Sequence, residues 1–160
     1  MPVTNSNLLN PDPFVMNEDE VNIAVANFLK KARFENVKYL SGNKTGIDVR
    51  GSKDEWAIFV ESKGSQANKH EKTLVFDTNQ IKTHTYMQVC KLMEYDNEQH
   101  SNAILAMANP DIPRIRQRVQ KVKSSLEKLQ LIQIWVQKDY SVIVEASNSQ
   151  LSVLKRLNLV

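Results

Sequence analysis

The eight residues 56–63, WAIFVESK, constrain the fold more tightly than any other stretch of this chain. Successive side chains of a strand point to opposite faces. Here Trp56, Ile58 and Val60 would line one face and Ala57 and Phe59 the other, so both faces are apolar. A strand apolar on both sides must be covered on both sides, which calls for a central strand in a sheet with helices above and below it. The second face then ends in Glu61 and Lys63, two positions apart and therefore side by side. Charges at the end of such a strand are costly unless they are paired, liganded or released to water.

The flanking periodicities supply the rest of the layers. After Asn17, the residues Val21, Ala24, Val25, Phe28 and Leu29 recur at helical spacing and predict a helix to about Ala32. Residues 36–40 read as a strand, Ser41-Gly42-Asn43 as a turn and residues 46–51 as a second strand. Gly51-Ser52-Lys53-Asp54 then makes a hairpin connection into 56–63. Asp77 or Thr78 can cap a helix reaching about Met93, with Ile81, Thr85, Val89 and Leu92 facing inward. Residues 103–108 are apolar on both faces, a second covered strand. One helix is expected over 111–129, with Pro113 in its first turn and Ile115, Val119, Val122, Leu126 and Leu129 as its core face. Leu131–Val136 and residues 141–145 follow as strands joined near Lys138-Asp139, and the tail 150–160 carries a short helix. The order α-β-β-β-α-β-α-β-β predicts an α/β fold with one mixed sheet flanked by helices. Residues 1–13, rich in Asn and Pro, read as a flexible arm ahead of a single domain over 14–160.

At 160 residues with 41% hydrophobic residues, such a domain buries roughly 70% of its unfolded surface and needs no disulfide. Its one cysteine, Cys90, is expected to be a small buried hydrophobe in a reducing compartment. The N-terminus lacks the basic segment and apolar run of a secretory signal, and no run approaches the ~18 apolar residues of a membrane span. These features predict a cytoplasmic, soluble protein with no membrane contact. The net charge of +3 and pI near 8.9 are compatible with a polyanionic partner.

Asp48 gives Glu61 its meaning. It interrupts an apolar strand that the hairpin brings against the strand carrying Glu61. Two carboxylates about 4 Å apart repel by about 4 kcal/mol at an effective dielectric near 20. The pair is tolerable if one takes a proton or a cation sits between them. All-oxygen donors with no Cys/His cluster nearby favour a hard ion, Mg²⁺ or Mn²⁺ in its place. The chain has only four glycines, at 42, 46, 51 and 64, all flanking these strands. Gly64 would also allow a nucleic-acid backbone to approach closely.

The arrangement Gly46-x-Asp48, a hairpin, then Val60-Glu61-x-Lys63-Gly64 resembles the PD-(D/E)xK nuclease superfamily, the restriction-endonuclease-like fold that includes Holliday-junction resolvases. The resemblance covers residues 17–108, where the α-β-β-β-α-β order matches, and departs from the pattern at Ile47, where a proline is usual. It implies that Asp48, Glu61 and the backbone carbonyl of Ser62 ligate Mg²⁺, and that Lys63 orients the attacking water and stabilises charge on the phosphate. It also implies an acid on the first helix, for which Glu20 fits best, although Asn17-x-x-Glu20 equally reads as a capping box. Gln80, opening the later helix, partly matches a Gln-x-x-x-Tyr element, with His84 where tyrosine would stand.

DNA is therefore the expected partner and an endonuclease the expected activity; the alternative is a domain of the same fold that binds nucleic acid or a partner subunit without cleaving. Basic residues offer phosphate contacts in two places: Lys69, His70 and Lys72 in a loop, and Arg114, Arg118 and Lys121 on one flank of helix 111–129. Solvated surface is the competing reading for both groups. Cutting both strands of a duplex would need two sites, which a homodimer would supply. His70, His84 and His100 lack metal-ligand spacing, and Pro110-Asp111 reads as a helix start.

Overall fold

The computed structural model describes residues 1–98 and 102–160; His100 therefore lies outside the described residues. The chain forms a six-stranded mixed sheet in the order β2-β3-β4-β6-β7-β8. Its strands are β2 (Glu35–Tyr39), β3 (Val49–Lys53), β4 (Trp56–Ser62), β6 (Ala103–Pro110), β7 (Leu131–Val136) and β8 (Val142–Glu145). The β4–β6 and β6–β7 pairs are parallel and the other three antiparallel. A separate two-stranded ribbon pairs β1 (Val3–Thr4) with β5 (Leu74–Val75).

Helices cover both faces, as the doubly apolar β4 and β6 require. On one side, α1 (Glu18–Lys31) and α5 (Leu151–Arg156) pack Val21, Val25, Leu29, Leu154 and Leu157 against Val49, Ile58, Val60, Ile104 and Ile132. On the other, α2 (Thr78–Glu98), α3 (Pro113–Gln120) and α4 (Lys123–Lys128) bring Ile81, Leu92, Ile115, Val119 and Leu126 against Leu105, Met107 and Trp135. Lys53 ties the first layer to its sheet, its ammonium donating to the carbonyls of Ala32 at 2.6 Å and Leu157 at 2.9 Å. Both acceptors stand at helix C-termini, where carbonyls lack intrahelical partners.

Several expectations change. The helix foreseen over 111–129 is two helices, broken where Val122 takes φ −117° and ψ 9°. The break keeps Leu126 buried but turns Leu129 to solvent, 40% exposed, off the core face assigned to it. Cys90 is exposed rather than buried; the inner side of α2 runs through Ile81, Thr85, Gln88 and Leu92, and Cys90 lies two residues off that line. The hairpin connection is shorter than the expected four residues. Lys53 still pairs with Trp56, leaving Asp54 and Glu55 as the loop, with Asp54 at φ 53°.

The N-terminal segment, read from composition as an arm, makes specific contacts with the rest of the chain. Besides the β1–β5 ribbon, Asn5 exchanges hydrogen bonds with the backbone of Asp12 at 2.8 and 3.0 Å. Asp12 is itself buried in a bidentate ion pair with Arg114, both contacts at 2.7 Å. Composition describes how a segment behaves alone; here its polar groups find partners seventy and a hundred residues away.

Candidate functional site

The site forms where β3 begins and β4 ends. Val49 opposes Val60 in the antiparallel ladder, so Asp48 and Glu61 come next to each other one step beyond it. Asp48 Oδ2 accepts the backbone N–H of Ser62 at 2.8 Å, which fixes the carboxylate across the strand end. Both acids are buried, at 6% and 3% exposure. β4 lies at the boundary between the antiparallel and parallel halves of the sheet. Its carboxyl end sits beside that of β6, the place where α/β sheets open a crevice.

Glu61 is met from α2. Lys91 Nζ lies 2.9 Å from each of its carboxylate oxygens, but hydrogen-bond geometry is satisfied only at Oε1. Oε2 stays buried without a hydrogen bond among the described residues. Lys91 also donates to the carbonyl of Gly46 at 2.7 Å. Burial, followed by the charge of Asp48, pushes the Glu61 carboxyl up to about 7 despite Lys91 and Lys63. Gln88, on the same side of α2, donates to the carbonyls of Glu61 and Ala108 at 3.0 and 3.2 Å, clamping β4 to β6.

Lys63 is met from α1, and by Glu18 rather than Glu20. Its Nζ lies 3.2 Å from Glu18 Oε2. Burial raises the Glu18 carboxyl above its ordinary range; Lys63 opposes the shift and Asp48 adds to it. Gly64 allows this close approach. A Cβ there would stand 2.6 Å from Asn17 C, Glu18 N and Met16 O, all backbone atoms. The glycine thus serves the start of α1, in a place where the sequence suggested a nucleic-acid backbone. Ser65 fastens the same junction, its N–H donating to Met16 O at 2.7 Å and its Oγ accepting from Met16 N at 3.0 Å.

Glu20 is engaged elsewhere. It completes the capping box with Asn17, pairs with Lys72 and accepts from Tyr140 Oη at 3.3 Å. Burial would raise its pKa, but these contacts outweigh it and hold the carboxyl below its ordinary value. Gln80 likewise forms a reciprocal pair with Asp77, each backbone N–H donating to the other's side chain, at the start of α2. On α2, Ile81, His84 and Thr85 come to the side of Lys63, and His84 is the titratable one among them. Lys63 and His84 line a small cleft with Gly64 and buried Asn109, and His84 packs edge-on against Phe76 with ring centres 4.4 Å apart. Burial, then the charge of Lys63, lowers the His84 pKa.

The expected phosphate contacts divide. Lys69 is exposed, His70 half-buried, and Lys72 is paired to Glu20. Arg114 is committed to Asp12, whereas Arg118 and Lys121 remain at the surface of α3 and the turn after it. Glu18, Gln88, Lys91 and Asn109 were not singled out from the sequence. Glu18 carried a signal, since an acid spent in a capping box leaves its neighbours as the free carboxylates.

Among the described residues, no three His, Cys, Asp or Glu side chains form a ready-made metal cage. What the fold brings together is Asp48, Glu61 and Lys63, with Glu18 and Lys91 as their partners. Comparison with protein-family models, with curated proteins and with solved structures gives no significant match for the chain. The class established is an α/β domain with a six-stranded mixed sheet and a buried carboxylate pair at the end of its central strand.

Proposed function

We propose that the protein is a metal-dependent nuclease of the restriction-endonuclease-like fold that hydrolyses phosphodiester bonds of DNA. The observation that carries this reading is the opposition of two buried carboxylates, Asp48 and Glu61, one step past the Val49–Val60 pair, with Lys63 just beyond the end of the strand. Burying two acids side by side stabilises nothing by itself. It is a common way to hold a hard cation.

The residues present fit such an ion. The donors are oxygens, and Glu61 Oε2 is buried with no hydrogen bond among the described residues; on binding, the ion would take the place of the Lys91 ammonium that now lies 2.9 Å from that oxygen. Asp48, Glu61 and the carbonyl of Ser62 would hold Mg²⁺ or Mn²⁺. Bound there, the ion would supply a more acidic water and positive charge for the phosphate. Lys63 would offer its ammonium to a non-bridging phosphate oxygen and orient the water. Glu18 would keep that ammonium in place.

A single observation favours the other reading, a domain that binds nucleic acid without cutting it: Glu61 and Glu18 are each already paired with a lysine. Incubating the purified protein with linear, supercoiled and branched DNA and Mg²⁺ or Mn²⁺ separates the two. The expected result is metal-dependent cleavage that falls by about 100-fold or more in Asp48→Ala and Lys63→Ala. Cleavage that survives either substitution removes this site from the chemistry, and binding without cleavage in both metals supports the second reading.

A further inference from the structure

A cleft of about 580 Å³ opens between the N-terminal segment, the start of α2 and α3, and Leu9, Pro11, Ile81, Arg114, Arg118 and Lys121 are among its lining residues. It adjoins the candidate site. Ile81 also lines the small cleft holding Lys63 and His84, and on α3 Arg114 faces one space while its neighbour Ile115 faces the other. The only acid on the described walls is Asp12. That acid is consumed by Arg114, through Nε and Nη2 at 2.7 Å each. Arg114 Nη1 is left buried, with no hydrogen-bond partner among the described residues. Arg118 and Lys121 take part in no ion pair among them.

The walls therefore combine the surplus positive charge of Arg118 and Lys121 with an apolar side on which Leu9 is almost wholly exposed. A ligand that fits is anionic at one end and flat and apolar at the other, as a nucleotide unit is. The volume is that of a small-molecule site, room for about one or two nucleotides and too little for a double helix.

We propose that this cleft is the subsite for an unpaired segment of a nucleic-acid strand, with phosphate held by Arg118 and Lys121 and a base laid against Leu9, Pro11 and Ile81. The path of that strand toward Lys63 rests on the function proposed above; the binding itself does not. The substrate would accordingly be single-stranded, frayed or branched nucleic acid in preference to intact duplex.

Fluorescence anisotropy in EDTA tests this, using a dye-labelled single strand of about 12 nucleotides and the duplex of the same sequence. The single strand should bind more tightly. Arg118→Ala with Lys121→Ala should weaken it by about tenfold or more and flatten its dependence on log salt by about 1.4, the share of two single-strand phosphate contacts. Both side chains reach the surface, so an unchanged melting curve will show that the double variant folds. Unchanged affinity and slope in that variant, equal or tighter binding of duplex, or competition by a free mononucleotide as strong as by the strand would each overturn the proposal. Single-strand binding that depends on the two residues without any cleavage would retain the subsite and remove the nuclease; cleavage with binding indifferent to them would do the reverse.

Discussion

Glu61 is the residue at which stability and proposed function oppose each other. Its carboxyl is raised from 4.5 to about 7, by burial first and by Asp48 second. A group with a raised folded-state pKa holds its proton more tightly when folded. The stability linked to that proton is therefore fully present below about 4.5 and is lost as pH rises through about 7. At 1.36 kcal/mol per pKa unit, the loss in metal-free protein is about 3 kcal/mol. Urea unfolding in EDTA between pH 4.5 and 8 should show that decline. Glu61→Gln, which keeps the shape and removes the charge, should flatten the part of the decline that Glu61 causes and raise the midpoint at pH 8; a decline as steep in the variant as in the wild type would contradict the assignment. The motif Glu61-x-Lys63 was visible in the sequence because strand alternation makes two such residues neighbours. Lys91 was not, because its place beside Glu61 depends on how α2 lies across β4, which no local pattern encodes.

At the scale of elements, the junction between α1 and the end of β4 decides which acid enters the site. Residues 18–20 are three consecutive acids, and the sequence alone ranks Glu20 ahead of Glu18. The capping box turns Glu20 back onto Asn17 and leaves Glu18 toward Lys63. Gly64 sets the distance, because any Cβ there would collide with the backbone of Met16, Asn17 and Glu18. Gly64→Ala should therefore cost about 2–3 kcal/mol, as overpacking against unyielding atoms does. It should also push α1 outward and part Glu18 from Lys63. A urea midpoint and a crystal structure of the variant check both effects, and an unchanged midpoint would mean that the junction yields easily. The break between α3 and α4 has a similar origin. The spacing of Ile115, Val119, Val122 and Leu126 is compatible with one continuous helix, but the chain breaks at Val122 and α4 beyond it packs against β7.

For the molecule as a whole, the N-terminal thirteen residues tie distant parts of the chain together through polar and backbone contacts. They supply β1 to the β1–β5 ribbon, one wall of the cleft beside α3, and Asp12 to neutralise Arg114. Deleting residues 1–13 should leave Arg114 partly buried and unpaired. Losing one partner of such a pair costs about 3–5 kcal/mol. A fall in melting temperature with retained secondary structure is the expected result by circular dichroism, and a melting curve that does not move would show the segment to be dispensable.

The sequence by itself determined the layered α/β architecture, the central place of β4 and the pairing of Asp48 with Glu61. These follow from short-range rules: alternation along a strand, the 3.6-residue helical repeat and the register a tight hairpin imposes. Only the tertiary structure decided that Lys91 meets Glu61, that Glu18 and Asn109 stand beside Lys63, that Arg114 is spent on Asp12 and that Gly64 yields room to α1. Each of those contacts joins residues far apart in the chain. Their partners are fixed by how whole elements pack, and packing depends on the shape and volume of the assembled core more than on any local pattern of residue types.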